Sequence, residues 1–581
     1  VLAATLLYVG VGRLDGINRQ RAALGLVAAE PLKNAPPSLA FATVAMGAFR
    51  GLVVDALWIR ADKLKMEGQY FDARQLAEWI TTLQPRFPEV WDFQAWNMAY
   101  NISVAMPNTQ PQERWRWVKN GYELLRDKGI PINPHSILLY RSLAWIFHHK
   151  IGGITDDVNK YYKLQLYMAM KPLVGDATNE QFIAMAKAPK DLAGLLRDED
   201  AAKLVADLRA ADKGFEKDDE FARTYLMLRL AATDPNRISA VIDRYRGTKA
   251  LEKVDVFVKA YLLRDVWKMD PAMMDELNRI YGPRDFEDPN IIYPLDWQNP
   301  QVHAIYWGAE GLRMGSKASY DTHEINTDRI VFQSMQALYR SGKVVVYPSE
   351  GGVYSIFEMP DLRMFEPCDK SYIDTINKYM TMPGRTSMTI EGLKVGHRNF
   401  LINSAFSFYQ TGHIKYAQRV YAELGRLFPE EKYKVPFMQF VKDRMKEEMA
   451  GGGMDATNAI EAVVGFLREA YFRYALRDDD AAAGLENMSR EAYDIYMQKY
   501  GDEKLQIPGV TGRLDIPDFK TLRFLAITQF AQDEGWPVEL RQSLFARIQV
   551  ERPDLMKELD ALYQKLMQKQ QLQEQQGKQS N

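Results

Sequence analysis

Two stretches of the chain, far apart, carry one spaced pattern of small and large apolar positions. Ala61, Leu64, Gly68, Ala73, Ala77, Ile80 and Pro85 are matched at identical offsets by Ala405, Phe408, Gly412, Ala417, Tyr421, Leu424 and Pro429. Tyr70 and Ile414 add a matching large residue two positions after the glycine. The spacing predicts a helix, a tight turn and a second helix packed on the first. Small residues let the backbones approach, and large ones fill the space between. Glycine suits the turn conformation that closes a helix, and proline cannot continue one.

The rest of the chain reads as mostly helical. Trp91–Asn101 and Trp115–Lys128 form a second predicted pair, separated by an insertion from Met106 to Pro111. Ser136–Lys150 and Asp156–Met170 form a third, across Gly152-Gly153. From Val174 to Pro289 helical patterning persists without the repeat spacing. It resumes at His303–Leu312, where Ala304, Trp307 and Gly311 keep the small–large–glycine offsets, and a helix is expected at Asp328–Arg340. Lys343–Tyr347 and Val353–Glu358 flank a Gly turn and have the β-branched content of a hairpin. Helices at Ala456–Arg477 and Ser489–Lys499 suit one more pair, and the Gln-rich tail from Gln568 to Asn581 is expected to be disordered.

The repeated pattern resembles the tetratricopeptide repeat (TPR), whose period is about 34 residues. Val54–Asn101, Leu139–Tyr162 and Pro294–Trp307 are also similar to bacterial membrane-anchored TPR proteins with no assigned role. The resemblance implies an all-α fold, an α-solenoid of irregular TPR-like helix pairs, whose job is binding rather than catalysis. The expected organisation is an anchor or signal segment and linker at 1–30, N-terminal repeats at 31–172 and an irregular helical region at 173–290. C-terminal repeats with the hairpin follow at 291–450, then a helical region at 451–567 and the tail at 568–581.

Composition narrows the reading. Of 581 residues 47% are hydrophobic, which excludes wholesale disorder. Lys plus Arg (74) nearly balances Asp plus Glu (76), so no global field draws in nucleic acid. The single cysteine, Cys368, excludes an intrachain disulfide and any multi-cysteine metal site. The run Val1–Gly12, followed by Arg13, is read as the remaining piece of a membrane anchor or signal segment, shorter than the roughly 20 residues a span needs. Leu39–Ile59 has that length but contains Arg50 and Asp55, so it is read as the buried leading helix of the solenoid.

Chemical motifs are sparse. The chain lacks GxxxxGK[ST], GxGxxG after a strand, GxSxG and HExxH. His148 and His149 are adjacent, so on a helix they point about 100° apart and suit one metal ion poorly. Asp156 and Asp157 are expected at the entry to the next helix, where the helix dipole favours negative charge. Trp91, Trp96, Tyr100, Trp115 and Trp117 form an aromatic cluster, read mainly as core. In a TPR the leading helix lines the concave face, and the resemblance places Trp96, Ala99 and Tyr100, then Trp145, His148 and His149, then Phe406, Tyr409 and Gln410 there. Asp92, Arg141 and Asn403 lie near the same face. The expected binding groove is therefore Trp96, Tyr100, Arg141, Trp145, His148, His149, Asn403 and Tyr409. These readings favour a non-enzymatic protein- or peptide-binding scaffold tethered to a bacterial membrane, its body outside the cytoplasm, with no cofactor or metal. The rival readings are a self-assembling envelope component and an enzyme with its site in the irregular region.

Overall fold

The computed structural model describes residues 49–175, 177–315, 322–348, 354–381, 387–450, 456–500, 516–533 and 536–565, together with Gly16. The expected anchor and the Gln-rich tail lie outside the described residues. Those described are mostly helical, and the one sheet among them has two strands. No helix among them is long and apolar enough to cross a membrane. Packing divides the chain into two units, Val1–Tyr162 with His303–Val331, and Lys163–Val302 with Phe332–Asn581.

In the first unit, α1 (Phe49–Met66) and α2 (Tyr70–Leu83) form the first hairpin. Their crossing is made by Ala61, Ala73 and Ala77, all fully buried. The turn is closed by two bonds, Gly68 N–H to Lys65 O (3.1 Å) and Gln69 N–H to Leu64 O (2.8 Å). Gly68 holds φ at 76°, the left-handed conformation in which a Cβ is penalised. The expected buried leading helix, Leu39–Ile59, is described only from Phe49, and there it is buried on one side. Val54 and Ala61 face α2, while Leu52 (67%), Ile59 (70%) and Met66 (83%) are exposed, because successive sevenths share the opposite side.

Next come α3 (Pro88–Trp96), α4 (Pro111–Leu124), α5 (Ile137–Trp145) and α6 (Asn159–Val174). α7 (Pro300–Met314) and α8 (Thr322–Ser341) follow the irregular region. α7 corrects one expectation. Gly311 is inside this helix and closes no turn; a Cβ there would collide with Tyr140 of α5, so its role is close approach. α8 begins at Thr322, ahead of the expected Asp328.

In the second unit β1 (Lys343–Pro348) pairs antiparallel with β2 (Tyr354–Met359). The hairpin is fastened to its surroundings: Lys163, with a side chain 2% exposed, donates to Glu358 (2.5 Å). Phe357 packs on Phe472 and Trp536. After α9 (Phe365–Thr381), α10 (Ser387–Gln410) and α11 (Ile414–Leu427) reproduce the first hairpin. α2 and α11 have the same length, 14 residues. Gly412 holds φ at 82°, and its N–H and that of His413 bond Tyr409 O (3.0 Å) and Phe408 O (2.9 Å). Ala405, Phe408, Ala417 and Leu424 are fully buried.

A further hairpin, α12 (Ala456–Ala475) and α13 (Asp479–Tyr500), has the same turn without the glycine. Arg477 takes the left-handed position at φ 63°. Its N–H bonds Tyr474 O (3.1 Å), and that of Asp478 bonds Arg473 O (3.0 Å). Ala470 and Ala482 stand at the same offsets from it as Ala405 and Ala417 from Gly412, and both are buried. α13 thus starts ten residues before the expected Ser489.

Two expectations about stability follow. Ala73→Leu and Ala417→Leu should each cost about 1–3 kcal/mol by overpacking a helix crossing, read as a lowered melting temperature. At the turns the sign should reverse: Gly412→Ala lowers the melting temperature, whereas Arg477→Gly raises it or leaves it unchanged, since the left-handed residue costs about 1 kcal/mol with a Cβ and little without.

Candidate functional site

α3 and α5 share an irregularity. α3 runs into a π-helical turn at Asn97–Ile102, and α5 into another at Ile146–Ile151. A π turn bonds i to i+5 and is wider than the 3.6-residue α turn, so residues i and i+4 come closer to lying directly above one another. The rings at that spacing stack. Trp96 lies on Tyr100 with centroids 4.1 Å apart and planes at 17°, and Trp145 lies on His149 at 4.8 Å and 9°. The two rows join where the Tyr100 hydroxyl meets His149 Nδ1 at 3.4 Å. His148 adds its ring 5.7 Å from Trp145. Five of the expected groove residues are thereby brought together. Trp96 is 40% exposed; Tyr100, Trp145, His148 and His149 are half-buried.

Arg141, also half-buried, precedes Trp145 by one helical turn, as Asp92 precedes Trp96. Burial raises the Asp92 carboxyl above its usual range, against a hydrogen bond from Ser142 and the nearby Arg141 and His323. Other members of the aromatic cluster are core: Trp91 (5% exposed) donates its indole N–H to Pro85 O at 2.8 Å, and Trp117 is 7% exposed.

A buried charge cluster adjoins these rows. Lys150 Nζ donates to Asp156 Oδ2 (2.5 Å), Arg114 to Asp156 Oδ1 (3.1 Å) and the Tyr162 hydroxyl to Oδ2 (3.3 Å). Lys150 also sits over the Tyr100 ring, 5.4 Å from its centroid. Asp156 is therefore not a helix-entry charge as expected. α6 starts only at Asn159, and Asp156 turns inward as counter-ion while Asp157 is exposed. Burial opposes ionisation of Asp156, but the bonds from Lys150 and the Val158 N–H outweigh it and hold the carboxyl below its usual range. Burial likewise pushes the Lys150 ammonium down, against Asp156, and burial with Lys150 lowers the His149 imidazole. No signal in the sequence joins Lys150 and Arg114 to one carboxylate, because Arg114 is 42 residues from Asp156.

The second unit holds the remaining expected residues. Asn403 is exposed. Tyr409 is half-buried and donates to Glu491 of α13 (2.6 Å), which makes it a clasp between α10 and α13. Phe406 (3% exposed) is core, and so is Ala99 in the first unit, which corrects their placement on a groove. A buried pair that sequence reading missed is His397 Nε2 with Asp369 Oδ1 (2.6 Å), 28 residues apart on two helices, under the ring of Tyr372. A cavity of about 180 Å³ is bordered by Lys343, Arg473 and Asp478, which are engaged, Lys343 with Asp478 (3.7 Å) and Arg473 with Glu469 (2.7 Å). Among the described residues no group of three His, Cys, Asp or Glu is placed to hold a metal. Burial raises the Cys368 thiol well above its usual value, the opposite of what a nucleophile needs.

Asp156→Asn leaves Lys150 and Arg114 buried without a counter-charge and should cost about 3–5 kcal/mol, measured by chemical denaturation. The histidine makes a separate, pH-dependent prediction. A folded-state pKa below the unfolded value means the unfolded chain binds the proton more tightly. The His149 contribution is thus complete above about pH 6.5 and is lost as pH falls through the folded value. Melting temperatures taken from pH 7 downward should fall less steeply in His149→Gln than in the parent.

No family model matches this chain, and no curated protein matches it.

Proposed function

We propose that the chain is a non-enzymatic, TPR-type α-solenoid that binds a protein or peptide, tethered to a bacterial membrane by its N-terminal segment with its body outside the cytoplasm. The observation that carries the binding reading is the pair of stacked aromatic rows, Trp96–Tyr100 and Trp145–His149. By the resemblance these are the leading-helix positions that a TPR turns toward its ligand, and Trp96 is exposed while Tyr100, Trp145 and His149 are half-buried. Large aromatic rings held in fixed orientation at a surface are the side chains that dominate interface energetics. The solenoid reading is supported by the two hairpins of α1–α2 and α10–α11, which repeat the same buried alanines, helix length and left-handed glycine. The tether reading is supported by the apolar run Val1–Gly12.

The test is affinity capture from detergent-solubilised membranes with the parent chain and two variants. Trp145→Ala should lose the captured partner while its melting temperature stays nearly unchanged. Tyr409→Ala, which breaks the clasp to Glu491, should keep the partner and melt lower. Equal capture by the parent and Trp145→Ala contradicts the proposal.

A further inference from the structure

The indole donors and charges that border the two rows restrict what they bind. Neither indole N–H, of Trp96 or of Trp145, has a hydrogen-bond partner among the described residues, and neither is a buried orphan. Indole offers a donor and no acceptor. His149 continues the row, its Nδ1 in hydrogen-bond contact with the Tyr100 hydroxyl. The carboxylates close by are engaged, Asp92 with Ser142 and Asp156 with Lys150, Arg114 and Tyr162. The rim thus presents flat rings and two indole donors, with the neighbouring carboxylates engaged.

Charge narrows the ligand further. The cluster formed by Lys150, Arg114 and Asp156 has two cations for one carboxylate, and Lys150 already occupies a face of Tyr100. A cationic ligand, the usual guest of an aromatic cage, meets a like charge here. A sugar's hydroxyls call for carboxylate acceptors, and the two carboxylates beside the rows, Asp92 and Asp156, are already engaged. A proline-rich segment has the complementary chemistry. Its backbone carries carbonyl acceptors without N–H donors, its rings stack on aromatic faces, and its polyproline II conformation is formed before binding.

We propose that the Trp96–Tyr100 and Trp145–His149 rows form a docking site for a proline-rich segment in the polyproline II conformation, its carbonyls accepting from the indole N–H groups. The proposal rests on the binding reading given above and names its ligand class.

The test uses the full chain with fluorescent decaproline, a Gly-Ser peptide of equal length and a soluble β-glucan oligosaccharide. Decaproline should bind saturably, and the other two should not. Trp96→Ala should weaken decaproline by about tenfold or more, as expected for an aromatic anchor. Trp145→Phe keeps the ring and removes the N–H, so it should weaken binding by about two- to tenfold, the worth of one neutral hydrogen bond. Helical circular dichroism and melting temperature of both variants establish that they are folded, and Trp145→Phe serves if Trp96→Ala is not. Absence of saturable decaproline binding, equal binding of the Gly-Ser peptide, preferential binding of the oligosaccharide, or unchanged affinity in folded variants overturns the proposal. If decaproline does not bind but Trp145→Ala still loses its membrane partner, this proposal falls and the scaffold reading stands. If Trp145→Ala keeps the partner as well, both fall.

Discussion

Close crossing of paired helices is the constraint on which the described architecture depends. At Ala61 and Ala73, at Ala405 and Ala417, and at Ala470 and Ala482, a side chain larger than a methyl group would hold the backbones apart. The chain must also reverse within a few residues for those alanines to meet. A left-handed residue at the end of the first helix supplies the reversal and satisfies the last carbonyls of that helix in the same step. Glycine does this at 68 and 412, and arginine does it at 477. The Arg477 turn shows that geometry, rather than glycine itself, is what the hairpin requires. The contacts made by the two flanking helices outweigh the cost of one strained residue.

The aromatic rows rest on a second departure from regular geometry. Had α3 and α5 continued as α-helices, Trp96 and Tyr100 would be offset around the axis, as would Trp145 and His149. The π turns bring each pair into register, and the Tyr100–His149 contact joins one helix to the other. The buried Lys150–Asp156–Arg114 cluster then restrains the end of the second π turn from the protein side. The rows are thus packed on one side, with Trp96 exposed and the remaining rings half-buried on the other.

Much of this was legible in the sequence, and the parts that were not have physical reasons. The two glycine hairpins and the β-hairpin could be read because small residues, glycine and β-branched runs mark them locally. The α12–α13 hairpin escaped because Arg477 carries no turn signal. Gly311 misled because a glycine needed for close approach to Tyr140 looks the same as one needed for a turn. Trp96, Tyr100, Trp145, His148 and His149 were placed on one face by repeat spacing, but their stacking depends on π turns that have no sequence signature. The Arg114–Asp156 and His397–Asp369 pairs join residues far apart along the chain, and nothing local announces them. Phe406 is core because sequence spacing fixes which positions share a helix face, while the helices packed around it decide which of them are covered.

The central claim is that the rows on α3 and α5 are where the partner sits. Hydrogen–deuterium exchange on the complex captured from membranes, set against the free chain, addresses it directly. Slower exchange confined largely to residues 92–102 and 141–151 on partner binding is the predicted result. Unchanged exchange in both segments, with protection elsewhere in the chain, would contradict it.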